Sequence, residues 1–349
     1  MKVMNKIALT ACLIWVLAMM ISSCAPDKAG QQNYIQYTGK TMGTTYSVKL
    51  KSVGEDLQPG INKALEDVNM ALSTYIPESL ISRYNQSGRL DIKIDALAKH
   101  FDKNMNASLE IYEGSQGAFD PTVGPLINAW GFGWEGRQPM PPSKEVVDSL
   151  LNLVGMSGLI YHTTGDSLHL KAAKPGMQLD FSAIAKGYGV DVVAELLEGQ
   201  GVGDYFVEIG GEVRTKGMNP LGQEWIVGVS TPDEKSPPTA FYTKVTLSGQ
   251  SMATSGNYRN YYLVEGQKVW HTIDPVTGYP EQNPMLSASI VHDNCMEADA
   301  IATACLVMGA EKCIEFVKSK DAAAYLIVND GEDGMRVVKT GFDKYLINQ

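Results

Sequence analysis

The sequence of 349 residues lacks an excess of basic side chains: 29 lysines and arginines stand against 39 aspartates and glutamates, and the formal net charge is −10. Such a chain has no general electrostatic attraction to nucleic acid, so we expect no nucleic-acid partner. A local basic pocket for a small anion is compatible with this charge. Internal repeats and low-complexity segments are also missing. With 44% hydrophobic residues, the chain can form a real core in one large domain or two modest ones.

Cysteine is scarce, with five residues. Cys12 and Cys24 lie in or directly after an N-terminal leader, which leaves Cys295, Cys305 and Cys313. This odd number predicts no disulfide framework, and the apolar, helix-like surroundings of Cys305 and Cys313 predict small buried side chains. No cysteine or histidine spacing typical of a metal site is present.

The N-terminal 23 residues have the composition of a secretion signal. Lys2 and Lys6 precede an apolar run over 7–21 that is too short for a comfortable membrane span. The next letters, ISSC, resemble the bacterial lipobox, in which the cysteine is lipidated and becomes the new N-terminus. Cys24 is therefore the predicted lipid anchor. The alternative is an ordinary signal peptide with an incidental cysteine.

This leader defines the expected organisation of the chain. Residues 1–23 form the lipoprotein signal, 24–36 the lipidated cysteine with a polar tether, and 37–349 a single catalytic domain. We expect a lipid-anchored membrane protein of the cell envelope that faces the periplasm.

Strand-like and helix-like segments follow one another without regular βαβ alternation. This order predicts an α+β fold of mostly antiparallel sheets with packed helices. The stretch 114–133 combines Gly, Pro and Asn with aromatic residues and predicts an ordered loop against a site. Alternation and helical spacing predict strands at 37–50, 158–162, 167–171 and 177–181, helices at 61–73, 95–113, 143–154, 183–198 and 296–309, and a closing hairpin near the C-terminus.

The segment DFSAIAKGYGVD (180–191) places small residues and one lysine at the start of a predicted helix. A helix N-terminus favours negative charge and Lys186 adds a cation, so the segment suits a phosphate. It is neither a Walker loop nor G-x-G-x-x-G. The alternative is a helix start that is packed with small residues.

Two further segments carry candidate chemistry. In ADAIATA, Asp299 and Thr303 are four residues apart and share a helix face, so their oxygens suit a hard cation such as Mg²⁺; the alternative is a cap or a solvated face. In HTIDPVTGYP, His271 lies next to a predicted tight turn and is a candidate base, or a structural histidine. The segment SMATSGNYRNYY, with Tyr258 and Arg259, is interpreted as pocket lining or as a strand and its turn.

The combination of segments is more specific than any one of them. Together they resemble the FAD:protein FMN transferases, or ApbE-type flavin transferases, formerly labelled thiamine-biosynthesis lipoproteins. The resemblance covers roughly residues 35 to 345 and implies a single, T-fold-related catalytic unit. It rests on this ordered set: TMGTTYSV, LSTY, AFDPTVGPL, LDFSAIAKGYGVD, EIGGEVRTKG, MATSGNYRNYY, HTIDPVTGYP and EADAIATA.

The resemblance implies an FAD site and a Mg²⁺ site. Its catalytic residues would be His271, as the base, and Lys186. The metal would be held by Asp299, Thr303 and a main-chain oxygen near Ala183. The FAD contacts would be Met42, Tyr75, Ala118, Phe119, Asp120, Asp180, Lys186 and Ile273.

The implied reaction moves the FMN half of FAD onto a threonine hydroxyl of an acceptor protein and releases AMP. The acceptors would carry an Asp/Ser-Gly-Ala-Thr-like motif and include subunits of membrane redox complexes. Self-flavinylation at Thr254, in SMATSG, is a minor alternative. Two rival functions are a metal-dependent FAD pyrophosphatase that releases FMN and AMP, and a non-enzymatic, lipid-anchored flavin-binding protein.

Overall fold

The computed structural model describes residues 33–347, apart from 137–139, 234, 238–239, 259, 265 and 332–333. The predicted signal, Cys24, most of the predicted tether and Arg259 lie outside the described residues. Tyr34–Gln349 forms one compact unit. No helix in the part of the chain that is described has the length and apolar character needed to cross a membrane.

An eight-stranded antiparallel sheet forms the centre of this unit. Its strand order is β1-β2-β6-β7-β10-β13-β14-β15. The last two strands form the closing hairpin that the sequence predicts. The strands are β1 (Tyr34–Thr41), β2 (Thr44–Lys51), β6 (Tyr205–Ile209), β7 (Glu212–Lys216), β10 (Ser251–Gly256), β13 (Met285–His292), β14 (Ala323–Asn329) and β15 (Met335–Thr340).

Three smaller antiparallel sheets accompany the large one, in the orders β3-β5-β4, β8-β9 and β11-β12. The α+β prediction with mostly antiparallel strands is therefore confirmed. The strands of these sheets are β3 (Arg89–Lys93), β4 (Leu159–Thr164), β5 (Ser167–Ala172), β8 (Trp225–Ser230), β9 (Phe241–Leu247), β11 (Tyr261–Val264) and β12 (Gln267–Trp270).

The first predicted strand, 37–50, is wrong in one respect, because it is a hairpin of two strands. Met42 and Gly43 join β1 to β2 with φ values of 50° and 71°. Two consecutive positive φ values make a type I′ turn, which matches the right-handed twist of the flanking strands. The hairpin begins at Tyr34, so residues 34–36 of the predicted tether belong to β1.

Eight helices lie in the described part of the chain. Ser79, Asp95, Ser143 and Asn294 each cap a helix by accepting a hydrogen bond from a backbone amide near its start. The helices are α1 (Gln58–Leu72), α2 (Leu80–Ser87), α3 (Ala96–Gly114), α4 (Gly124–Ala129), α5 (Lys144–Leu151), α6 (Ala185–Gly199), α7 (Cys295–Met308) and α8 (Ala310–Ser319).

Two local predictions are corrected. The predicted strand 177–181 is absent from this described segment, because the side chain of Asn85 bonds both the N–H and the C=O of Leu179 in place of a neighbouring strand. The ordered loop 114–133 contains α4, in which Pro125 occupies the first turn, where its missing N–H is not needed.

Helix α7 is buried on nearly all sides, which explains its alanine-rich sequence. It packs against α6, α8 and strands β10 and β13 of the large sheet. Small side chains allow this close approach of helix to sheet, and they join Leu306 and Ile301 in the main core cluster.

The prediction that Cys305 and Cys313 are unpaired is wrong. They form a disulfide that joins α7 to α8 across the helix end at Gly309. The odd cysteine count was misleading because Cys295, which is buried, is the one without a disulfide among the described cysteines.

Candidate active site

A cavity of about 470 Å³ opens beside the start of α6 and the middle of α7. Loop residues 118–132 and the segment after β12 complete its walls. It brings together residues from distant parts of the sequence. The predicted site residues that line it are Tyr75, Ala118, Phe119, Asp120, Asp180, Ala183, Lys186, His271, Ile273, Asp299 and Thr303.

A second cavity, of about 640 Å³, adjoins the first and shares Tyr75, Ser182 and Lys186 with it. Met42 lines this second cavity from the β1–β2 turn. Each predicted FAD, metal and catalytic residue therefore lines one of two neighbouring cavities. The predicted lipidation site, Cys24, lies outside the described residues.

Lys186 is the second residue of α6 and lies between two carboxylates. Its Nζ atom is 3.4 Å from Oδ1 and Oδ2 of Asp299 and 3.4 Å from Oε1 of Glu212. Burial alone would lower the pKa of Lys186, but the two carboxylates outweigh it and raise that pKa above its ordinary value. Lys186 is therefore a fixed cation at the junction of the two cavities.

Glu212 was not predicted as a site residue. It is 4% exposed, and burial raises its pKa, while the attraction of Lys186 opposes that change and favours the carboxylate. The quoted segment EIGGEVRTKG contains it, and an acid directly after Gly210 and Gly211 was the available signal. Its partner, Lys186, is 26 residues away, so pairing was not visible in the sequence.

Asp299 and Thr303 share a face of α7, as predicted, and both line the first cavity. Asp299 is 2% exposed, so the solvated-face alternative is wrong. The Thr303 hydroxyl exchanges a hydrogen bond of 3.1 Å with Ser255 on β10. These oxygens suit a hard cation, and Ala183 lines the same cavity.

The oxygen atoms of Asp299 and Thr303 are compatible with a magnesium ion. No group of three or more His, Cys, Asp or Glu side chains suited to a metal ion occurs within the described ranges. Mg²⁺ is commonly held by one or two carboxylates together with substrate phosphates and water, so such a group is not required. The buried Asp299 carboxylate and the Thr303 hydroxyl fit this mode of binding.

Helices α6 and α7 are fixed to one another at this site. Asp191 on α6 accepts hydrogen bonds from the amides of Cys295 (3.0 Å) and Met296 (2.8 Å) at the start of α7, and it binds Arg214 at 2.7 Å. The carboxylate thus serves a helix N-terminus, where negative charge is favourable. The relative position of Lys186 and Asp299 follows from this contact.

His271 follows β12 and is partly buried in the first cavity. Its Nδ1 atom is 3.2 Å from the carbonyl oxygen of Asn260. A carbonyl only accepts, so the proton lies on Nδ1 and Nε2 keeps a lone pair. Burial, aided by the charge of Lys186, lowers the pKa of His271, while the Asn260 carbonyl opposes that change. His271 is therefore neutral and basic at Nε2 near pH 7.

Two acids lie on the loop wall. Asp120 is buried and accepts hydrogen bonds from the amide (2.8 Å) and hydroxyl (2.6 Å) of Thr122; burial raises its pKa to about 6. Asp180 accepts a hydrogen bond of 2.7 Å from the amide of Ser182. Ile273 packs on a small core cluster of its own, with Leu126, Trp130 and Val147.

The segment SMATSG forms strand β10, and Thr254, Ser255 and Gly256 line the first cavity. The segment is therefore a strand that also lines the cavity, so the two interpretations of it are compatible. The Thr254 hydroxyl is engaged with that of Ser289 at 2.8 Å.

Comparison with known proteins gives a consistent result. The profile of the ApbE family matches residues 42–327. The chain is 35% identical over 337 residues to the FAD:protein FMN transferase of Haemophilus influenzae, covering 95% of this chain and 96% of that protein. It is 30% identical to the protein of the same name from Escherichia coli K12, with 99% of both chains covered.

Solved structures agree in fold. The flavin transferase ApbE from Vibrio cholerae superposes with a TM-score of 0.79 at 34% identity, covering 90% of this chain and 99% of that one. The apo flavinyl transferase ApbE from Pseudomonas stutzeri gives a TM-score of 0.77 at 33% identity, with 89% and 96% covered.

Proposed function

The chain belongs to the ApbE family, and we propose that it moves the FMN half of FAD onto a threonine hydroxyl of an acceptor protein, with AMP as the second product and Mg²⁺ as the required ion. Its similarity to these relatives shows that the chain is a flavin transferase that uses FAD. The threonine, the ion and the release of AMP belong to the proposal.

One observation carries this proposal. Lys186, Asp299, Thr303 and His271 line a single cavity, so a fixed cation, oxygen ligands and a neutral imidazole are available to one substrate. Phosphoryl-type transfer needs this combination, because negative charge develops on the diphosphate while the attacking hydroxyl loses a proton.

The proposed step breaks one bond and forms one. The acceptor hydroxyl oxygen attacks the phosphorus of the FMN half, the bond from that phosphorus to the bridging oxygen breaks, and AMP leaves with the bridging oxygen. The hydroxyl proton passes to Nε2 of His271, which the Asn260 contact leaves unprotonated. Lys186 compensates charge on the diphosphate.

Asp299, Thr303 and the main-chain oxygen of Ala183 would hold the ion. When bound, Mg²⁺ would neutralise charge on the diphosphate and so favour departure of AMP. The remaining work belongs to the chain: Met42, Tyr75, Ala118, Phe119, Asp120, Asp180 and Ile273 would bind and orient the flavin and the adenosine.

The N-terminal sequence supports a proposed location. Cys24 would carry the lipid and fix the chain to a membrane of the cell envelope on its periplasmic side. The acceptors would then be subunits of membrane redox complexes with an Asp/Ser-Gly-Ala-Thr-like motif, since both partners would share one membrane surface.

One assay tests the function. The full-length chain in detergent is incubated with FAD, Mg²⁺ and an acceptor protein that carries the motif, and covalent flavin fluorescence is read on a denaturing gel. The expected result is fluorescence on the acceptor and an equal amount of AMP in solution. A control acceptor with Thr→Val at the motif stays dark.

The same assay separates the rival functions. Free FMN and AMP with a dark acceptor would instead indicate an FAD pyrophosphatase. Intact FAD that stays bound without any turnover would indicate a flavin-binding protein. Fluorescence on the enzyme band, lost on Thr254→Val, would indicate self-flavinylation.

A further inference from the structure

Glu212 is a buried acid with an unused hydrogen-bond acceptor. It is 4% exposed and lines the first cavity, and its Oε2 atom is buried without a hydrogen-bond partner. Buried polar atoms are nearly always satisfied, so this carboxylate requires an explanation. Nothing in the fold accounts for it: Glu212 begins β7, where its main chain already pairs with Ile209.

Its other oxygen, Oε1, lies 3.4 Å from Lys186 Nζ. Lys186 is therefore held from two sides, by Glu212 on the sheet and by Asp299 on α7. These two anchors belong to different elements, so Nζ is held to the large sheet and to α7 at the same time.

We propose that Glu212 is a positioning residue for flavin transfer: it keeps Lys186 Nζ at the diphosphate when Asp299 is occupied by the ion. This inference rests on the proposed function. Without Glu212, Asp299 would be the one carboxylate beside Lys186 in the described part of the chain. A cation bound to Asp299 would then compete for that carboxylate and would repel the lysine. Glu212 supplies a second buried anion that leaves Lys186 in place.

Loss of Glu212 should affect FAD affinity and the rate of flavin transfer differently. FAD is anionic at its diphosphate, so removal of a nearby carboxylate does not weaken the ground-state attraction between protein and ligand. A misplaced ammonium loses the stabilisation that is needed as charge develops on the leaving group. Loss of Glu212 should therefore lower the transfer rate while FAD affinity is preserved.

The experiment uses the full-length chain and two variants. Glu212→Gln keeps the shape and removes the charge, and Glu212→Ala removes both. Glu208→Gln is the matched control, because Glu208 lies on the same β6–β7 hairpin, accepts a hydrogen bond from Gly211 and lies outside both cavities. Single-turnover transfer, FAD affinity by flavin fluorescence and the crystal structure of Glu212→Gln are measured.

We expect Glu212→Gln to slow transfer ~10-fold or more with FAD affinity changed less than ~3-fold, and Glu212→Ala to slow it further. Glu208→Gln should match the wild type. In crystals of Glu212→Gln grown with Mg²⁺, Lys186 Nζ should have left its position beside Asp299, whereas in wild-type crystals grown with Mg²⁺ it should stay beside Glu212.

Other outcomes overturn the inference. A rate within about twofold of wild type would show that Glu212 is dispensable, and a parallel loss of rate, FAD affinity and melting temperature would indicate a purely structural role. If the wild type transfers no flavin, the proposed function fails first. An unmoved Lys186 in Glu212→Gln crystals grown with Mg²⁺ would then overturn the positioning role independently.

Discussion

The amide of Gly187 donates a hydrogen bond of 3.0 Å to Oδ2 of Asp299, which links the start of α6 to the middle of α7. The contact requires glycine. A Cβ atom at residue 187 would overlap the carbonyl oxygen of Cys295 and lie 2.8 Å from the Cβ of Asp299. The Cys295 oxygen belongs to the backbone and the Asp299 Cβ is bonded directly to it, so neither atom can move aside by side-chain rotation.

Gly187→Ala should therefore separate the two helices. Overpacking of this kind destabilises by about 1–3 kcal/mol, and the shift of Lys186 from Asp299 should reduce flavin transfer by ~10²-fold. Denaturant unfolding and the transfer assay measure the two effects. Gly199→Ala, at the far end of the same helix with no atom within 4 Å of the new Cβ, should leave both unchanged; equal losses in the two variants would contradict the packing argument.

His271→Ala should leave FAD binding nearly intact and slow transfer by ~10²-fold, because it removes the proton acceptor and no binding charge. FAD titration by fluorescence and single-turnover transfer check this. An unchanged transfer rate would remove His271 from the mechanism.

The pH dependence follows from the same residue. Burial lowers the pKa of His271, so the neutral, basic form persists below the ordinary histidine pKa of roughly 6.5. The transfer rate of the wild type should be flat near pH 7 and fall on acidification, with a midpoint below that ordinary value. A midpoint above it would contradict the assigned environment of the imidazole.

Asp299→Ala should abolish transfer that depends on Mg²⁺, and EDTA should do the same to the wild type. The buried carboxylate is the only charged member of the proposed ligand set, so Thr303→Val should be milder and should be relieved by higher Mg²⁺. Calorimetric titration with Mg²⁺ in the absence of FAD measures the affinity directly. Full activity of Asp299→Ala at low Mg²⁺ would exclude the ligand role.

The disulfide between Cys305 and Cys313 should stabilise the junction of α7 and α8. It closes a loop with a sequence separation of 8, for which the chain-entropy relation gives about 2.5 kcal/mol. The double variant Cys305→Ala with Cys313→Ala should unfold at lower denaturant by this amount, with Cys295→Ala as the control for loss of a buried thiol. Alkylation of both residues in the unreduced wild type, read by mass spectrometry, would contradict the bond.

Cys24→Ser should move the chain from the membrane fraction to the soluble fraction and leave transfer unchanged. The expected reason is loss of the lipid chains, since each buried methylene contributes roughly 0.8 kcal/mol to anchoring. Fractionation and the intact mass of the N-terminal peptide measure this. Persistent membrane association of Cys24→Ser would indicate another anchor.

Local pattern predicted the fold class, most helices and the shared helix face of Asp299 and Thr303, because those features depend on period and spacing. The hairpin at Met42 was missed, since two positive φ values do not show in an alternating strand pattern. The segment 177–181 was assigned wrongly for a different reason. The backbone hydrogen bonds of Leu179, at its centre, go to the side chain of Asn85, which is 94 residues away.

For the candidate site, the sequence indicated some of the residues and missed others. Ordered motifs located the residues that line the cavities, whereas Glu212 and the disulfide depend on which elements become neighbours in three dimensions. Counting cysteines could not show that Gly309 lets α8 turn back against α7. Pairing of charges across α6, α7 and β7 likewise appears only after the sheet is assembled.

The cavity wall that contains Ile273 packs on a hydrophobic cluster of its own, and this has a consequence for mutations. Ile273 and its companions Leu126, Trp130 and Val147 form a miniature core that is separate from the main one. A substitution that weakens this cluster should therefore disturb the cavity wall at Ile273 first, while the helices that carry Lys186 and Asp299 keep their packing in the main core.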